Sequence, residues 1–156
     1  MSRTVRAARE VVLPPERAEQ LWLDVRRWAT FIEGFGHEVE RDESWPAEGS
    51  KLVWESRPGG RGRVKEKVVS RGDRLLSSRV VEESLVGIQT VTFHDGEEEG
   101  SIVELELSYD LNPTTVWRQG LLGKVVNLLF IRRAMTDSLN RTLRRFATEA
   151  AEEQAL

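Results

Sequence analysis

The chain contains no cysteine in its 156 residues. That absence removes disulfide scaffolds, thiol nucleophiles and thiolate metal sites together, and it fits a reducing compartment. No run approaches the roughly 20 apolar residues that a membrane-spanning helix needs. The strongest apolar stretch, residues 121–131, is interrupted by Gly123, Lys124 and Asn127. Residues 1–10 carry Arg3, Arg6 and Arg9 and no apolar core, so they do not read as a secretory signal, and a cytoplasmic location is the expectation. Acidic and basic residues are mixed along the chain with a formal net charge of -3, which leaves no broad basic face for phosphates and argues against a nucleic-acid partner. Histidine occurs only at His37 and His94. His94 alternates onto a wet face beside an Asp-Gly turn, so a histidine acid/base pair or metal site has little to build on. No metal, cofactor or catalytic residue is assigned.

What is present is a change of hydrophobic period. Residues 4–13 mix apolar and charged side chains as a strand does, and Pro14 and Pro15 then end the ladder and suit a helix start. Ala18, Leu21, Trp22, Val25, Trp28 and Ile32 recur at helical spacing on one face, with Gly34 and Gly36 predicted to end the helix. From His37 to Leu111 the period becomes two, in about six short segments separated by turn residues such as Gly72-Asp73 and Asp95-Gly96. The last segment is the clearest. Val103, Leu105, Leu107 and Tyr109 alternate with Glu104, Glu106 and Ser108, giving one buried and one wet face that requires a cover. Residues 118–152 lack proline and predict a helix of about 50 Å. Its apolar stripe is Leu121, Val125, Leu128, Met135, Leu139, Leu143, Phe146 and Ala150, with Arg133, Asp137, Arg141, Arg144 and Arg145 opposite.

Three stretches carry a resemblance that spans nearly the whole chain. They are Val11-Val12-Leu13-Pro14-Pro15-Glu16 leading into Leu21-Trp22, then Trp28-Ala29-Thr30-Phe31-Ile32-Glu33-Gly34, and Gly120-Leu121-Leu122-Gly123 with its arginine-rich continuation. In that order they resemble the superfamily of START-related lipid-transfer domains, birch-pollen-allergen-like proteins and bacterial polyketide cyclase/dehydrase-type proteins. The resemblance implies a single α+β domain over residues 1–156 with the helix-grip fold. In it a curved antiparallel sheet of about seven strands wraps a long C-terminal helix, in the order β-α-α-β-β-β-β-β-β-α. It also implies a cavity for a hydrophobic or amphipathic molecule of lipid, sterol, polyketide or quinone type. It does not imply one reaction, since a fold hosts many functions.

Alternation places Gln89, Val91, Phe93, Val103, Leu105, Leu107 and Tyr109 on the concave face, and by extension Leu52, Trp54, Val64, Glu66 and Val68. Glu66, Gln89 and Tyr109 are polar groups directed into an apolar interior, where each needs a partner: the ligand, one another, or buried water. The expected ligand-binding set is Trp54, Glu66, Gln89, Phe93, Leu105, Tyr109, Leu128 and Met135. Trp22 and Trp28 read as core. Arg132 and Arg133 interrupt the helix stripe and either extend to solvent or meet an acidic group of a ligand.

Other local patterns read as turns or surface. Glu97, Glu98 and Glu99 form a solvated hairpin tip, Arg71-Gly72-Asp73 is a turn, and Asn140-Arg141-Thr142 lies within a helix. Pro58-Gly59-Gly60-Arg61-Gly62 is a flexible loop placed to flank a cavity mouth.

Three functions fit. The first is a non-enzymatic carrier or sensor of a hydrophobic metabolite. The second is a cyclase or dehydratase in which Glu66 and Tyr109 move protons. The third is an interaction module using residues 121–131, whose apolar circumference includes Leu122, Val126 and Phe130 and exceeds what one sheet covers, so that the preceding loop from Asn112 to Trp117, a second copy of the chain or a membrane surface met transiently must touch it.

Overall fold

The computed structural model describes residues 3–112 and 120–156, in the last helix with side chains from residue 130 onward. Its strands are β1 (Arg3–Val11), β2 (Phe35–Arg41), β3 (Lys51–Ser56), β4 (Arg63–Gly72), β5 (Leu75–Val81), β6 (Leu85–Asp95) and β7 (Ser101–Leu111). They make one 7-stranded antiparallel sheet in the order β1-β7-β6-β5-β4-β3-β2. Six of the strands follow one another as hairpins; β1 alone crosses to pair with β7, from Arg3 opposite Tyr109 to Val11 opposite Ser101. The helices are α1 (Pro15–Leu23), α2 (Trp28–Phe31) and α3 (Gly120–Ala155). Packed along β1 and against α2, α3 gives the α+β helix-grip arrangement.

The first helical region is the pair of helices that the resemblance implies, rather than the one amphipathic helix suggested by the apolar spacing. It breaks at Asp24, whose carboxylate accepts from the Arg26 backbone N–H, and a 3-10 turn at Val25–Arg27 precedes α2. The apolar residues keep their inward direction across the break, because a 3-10 turn changes the period only slightly. Gly36 does not end a helix either. It lies inside β2, at a register shift between Phe35 and His37, where a Cβ would come 2.6 Å from the Glu55 carbonyl oxygen. A side chain would push the two strands apart at this bulge.

The period of two is realised as read. Leu52, Trp54, Val64, Val68, Val91, Phe93, Val103, Leu105, Leu107 and Tyr109 are all buried on the concave side. In α3, Leu139, Leu143, Phe146 and Ala150 are buried against them, and Met135 packs at the margin of the core. Leu121, Leu122, Val125, Val126 and Leu128 lie outside the described side chains.

Two ion-pair groups hold the C-terminal half of α3 to the first helical region. Arg27 donates to Glu149 at 2.8 Å and to Glu153 at 2.6 Å, and Glu33 accepts from Arg141 at 3.0 Å and Arg145 at 3.1 Å. Thr142 Oγ1 also accepts the Glu33 backbone N–H at 3.0 Å.

Candidate functional site

Between the sheet and α3 the concave side chains leave a hollow. One compartment, of about 50 Å³, lies among Trp22, Trp54, Glu66, Leu105 and Leu139. A larger and more open one, of about 170 Å³, is bounded by Leu85, Leu107, Ala134, Met135 and Leu139. Arg61, Gln89, Ser138 and Leu139 line both, so the compartments adjoin.

The polar groups around the hollow arise from strand parity. In β4, Glu66 alternates inward with Val64 and Val68, and in β5 the inward set is Leu76, Ser78 and Val80, which Glu82 continues just past the strand end. Trp54 on β3 sits diagonally from Glu66, because the registered pairs are Trp54 with Val64 and Leu52 with Glu66. A diagonal pair is within reach of a long aromatic side chain. Accordingly, Trp54 Nε1 donates to Glu66 Oε2 at 2.6 Å. The Arg61 guanidinium lies over the Trp54 ring, 5.0 Å from its centroid, and its Nε donates to Glu82 Oε2 at 2.5 Å. The other oxygen of Glu82 accepts from Ser84 Oγ at 3.3 Å.

Glu66 keeps some accessible surface and lines the smaller compartment. Burial raises its pKa above the ordinary carboxylate value, and the neighbouring Glu82 pushes the same way. The Trp54 N–H and the charge of Arg61 oppose this rise. A carboxyl so placed holds a proton more readily than one in water.

Seven of the eight expected site residues lie among the described side chains. Trp54, Glu66, Gln89 and Leu105 line the smaller compartment, and Gln89 and Met135 the larger. Phe93 packs instead against Trp22, with ring centroids 6.4 Å apart, on the side where Trp22, Phe31 and Phe146 close the interior. The Tyr109 hydroxyl is buried without a hydrogen-bond partner among the described residues; burial pushes its pKa up, and the charges of Arg3 and Arg132 pull it down. Gly87, opposite Tyr109 on β6, can only be glycine at this spacing, since a Cβ would lie 2.5 Å from the Ser108 carbonyl oxygen. Leu128 is outside the described side chains. Arg132 and Arg133 are exposed.

Sequence reasoning did not single out Arg61, Ser78, Glu82 or Ser138. Parity along β5 was the available signal for Ser78 and Glu82, and the loop flanking the cavity mouth was the signal for Arg61. Ser138 follows Met135 by three positions and therefore shares its face of α3.

A model of the family described as polyketide cyclase/dehydrase and lipid transport matches residues 2–151. The chain belongs to that family. Among curated proteins none matches it. Of solved structures, the di-domain ARO/CYC StfQ from the steffimycin biosynthetic pathway superposes with a TM-score of 0.78 at 14% identity, over 100% of this chain and 53% of that one. A START superfamily protein from Mycobacterium smegmatis gives 0.74 at 8% identity, covering 96% and 97%. Norcoclaurine synthase from Thalictrum flavum, in complex with dopamine and hydroxybenzaldehyde, gives 0.70 at 15% identity, covering 97% and 88%. At such identities the likeness establishes the family's helix-grip fold, not a shared ligand.

Proposed function

We propose that the chain binds a hydrophobic or amphipathic small molecule, of lipid, polyketide or quinone type, in the hollow between the sheet and α3. One observation carries this reading. Gln89 on the sheet and Ser138 on the helix face the same hollow from opposite walls, and neither side chain has a hydrogen-bond partner among the described residues. Both residues are partly exposed, and a polar group of a ligand can take the place of water at their side chains. The described walls suit a ring-sized portion of a ligand, being smaller than the roughly 300–1,000 Å³ typical of whole sites. Native mass spectrometry of the purified protein, looking for a co-purified mass released by denaturation, tests the reading. Titration of apolar ligands against tryptophan fluorescence complements it, because Trp54 lines the hollow. No co-purified mass and no saturable fluorescence change with any apolar class would overturn it.

A second reading, a cyclase or dehydratase working in the same hollow, draws on Glu66, whose carboxyl lines the cavity with its pKa raised by burial. Glu66→Gln would then abolish conversion of a bound ligand and leave its binding in place. Among the described residues no helix is long and apolar enough to cross a membrane; we read the protein as a cytoplasmic carrier. Phe130, exposed at the start of the described part of α3, offers a contact for a membrane surface or a second copy during ligand exchange.

A further inference from the structure

Resting on the cavity reading above, we infer that the ligand presents a neutral hydrogen-bonding group, a hydroxyl or carbonyl on a ring-sized apolar body, and that carboxylates are rejected. The argument is one of charge already balanced. Among the described lining residues Arg61 is the one cation, and it is engaged before any ligand arrives: its Nε is bonded to Glu82 and its face lies on Trp54. Glu66 is a second carboxyl facing the same guanidinium. The remaining charged lining residue, Glu33, is turned to Arg141 and Arg145 on the outer side of α3. An anionic ligand would thus add a second carboxylate beside Glu82 at a guanidinium whose charge Glu82 already balances, with the Glu66 carboxyl close by, and like charges so placed repel. A neutral group meets no such penalty. It finds donors and acceptors in the amide of Gln89 and the hydroxyl of Ser138, and further donors on Arg61 beyond the one used by Glu82. The larger compartment, about 170 Å³, is on the scale that holds a single aromatic ring.

The test pairs two probes of one shape, naphthol and naphthoate, titrated calorimetrically into the full chain at neutral pH. Naphthol is expected to bind at least about tenfold more tightly than naphthoate. Glu82→Gln keeps an acceptor for Arg61 but removes the balancing charge, and it should shift the preference toward naphthoate by about tenfold or more. Circular dichroism confirms that the variant is folded; if it is not, the preference of the native chain decides alone. Equal or tighter binding of naphthoate by the native chain overturns the inference and leaves the cavity reading standing. Binding of neither probe overturns the inference as well, and a failed search for a co-purified mass would then remove the cavity reading too.

Discussion

The same sheet and the same helix build two unlike regions. At one end Trp22, Phe31 and Phe146 pack edge-on or tilted with ring centroids 5.0 to 5.3 Å apart, Phe93 closes on Trp22, and Arg27 and Glu33 tie α3 down through its carboxylates and arginines. At the other end the inward positions are Glu66, Ser78, Gln89, Glu82 and Ser138, with Arg61 reaching in from a loop, and the packing leaves space. The contrast teaches where stability and function reside. Large rings fill volume and hold the helix against the sheet, so the polar end can stay open without loosening the fold.

The largest effect that would sharpen this contrast is a truncation at the closed end. Phe146 is fully buried, and Phe146→Ala should cost about 3–5 kcal/mol in urea unfolding. Met135→Ala, at the margin of the hollow, removes a side chain that is only partly packed, and should cost less than about 2 kcal/mol. Equal losses would mean that the open end carries as much of the core as the ring cluster and that the distinction is false.

The closed end was also the more legible in sequence. Phe146 and Leu143 fall on a helical stripe and Phe93 and Val103 on a clean alternation, and burial of apolar residues at a fixed period is the strongest signal a sequence carries. The open end is built from exceptions to that pattern. Glu66 and Gln89 stood out as polar residues at inward positions, yet Glu82 lies one step beyond β5 and Arg61 in a glycine-rich loop, where no period applies. Phe93 obeyed the alternation and still falls on the ring side, because parity assigns a face of the sheet and not a position along it. The break at Asp24 was equally hidden, since a 3-10 turn preserves the inward spacing of Val25 and Trp28.

At the open end, Trp54→Phe keeps most of the ring volume and removes the donor to Glu66. Loss of one partner of a buried polar pair costs about 1–3 kcal/mol, and much of any ligand-dependent fluorescence change should vanish with it. A variant as stable as the parent would show that water in the hollow substitutes for the indole N–H.

Glu66→Gln works in the opposite direction. Because burial raises the Glu66 pKa, its contribution to stability is fully present below the ordinary carboxylate pKa and is lost as pH rises through the raised value. Glutamine still offers Trp54 an acceptor and has no charge to bury. The variant should therefore be the more stable above neutrality, by something on the order of 1 kcal/mol, with the advantage shrinking toward mildly acidic pH. Thermal melts across that range measure it. A variant uniformly less stable at every pH would mean that ionised Glu66 is a net gain through Arg61.

The smallest effect on stability is expected where the open end meets solvent. Phe130 is 70% exposed, so the folded core gains little from its ring, and Phe130→Asp should change unfolding free energy by no more than about 0.5 kcal/mol. Its consequence should appear in association instead. An exposed aromatic at the end of an apolar helical run favours a second apolar surface, and a carboxylate there opposes it. Co-sedimentation with liposomes and light scattering after size exclusion separate the two partners: loss of sedimentation alone points to a membrane surface, and loss of a dimer alone to a second copy. Marked destabilisation would instead place Phe130 in the core. A variant unchanged in both assays would show that the open end exchanges its ligand through solution, with the ring at position 130 a bystander.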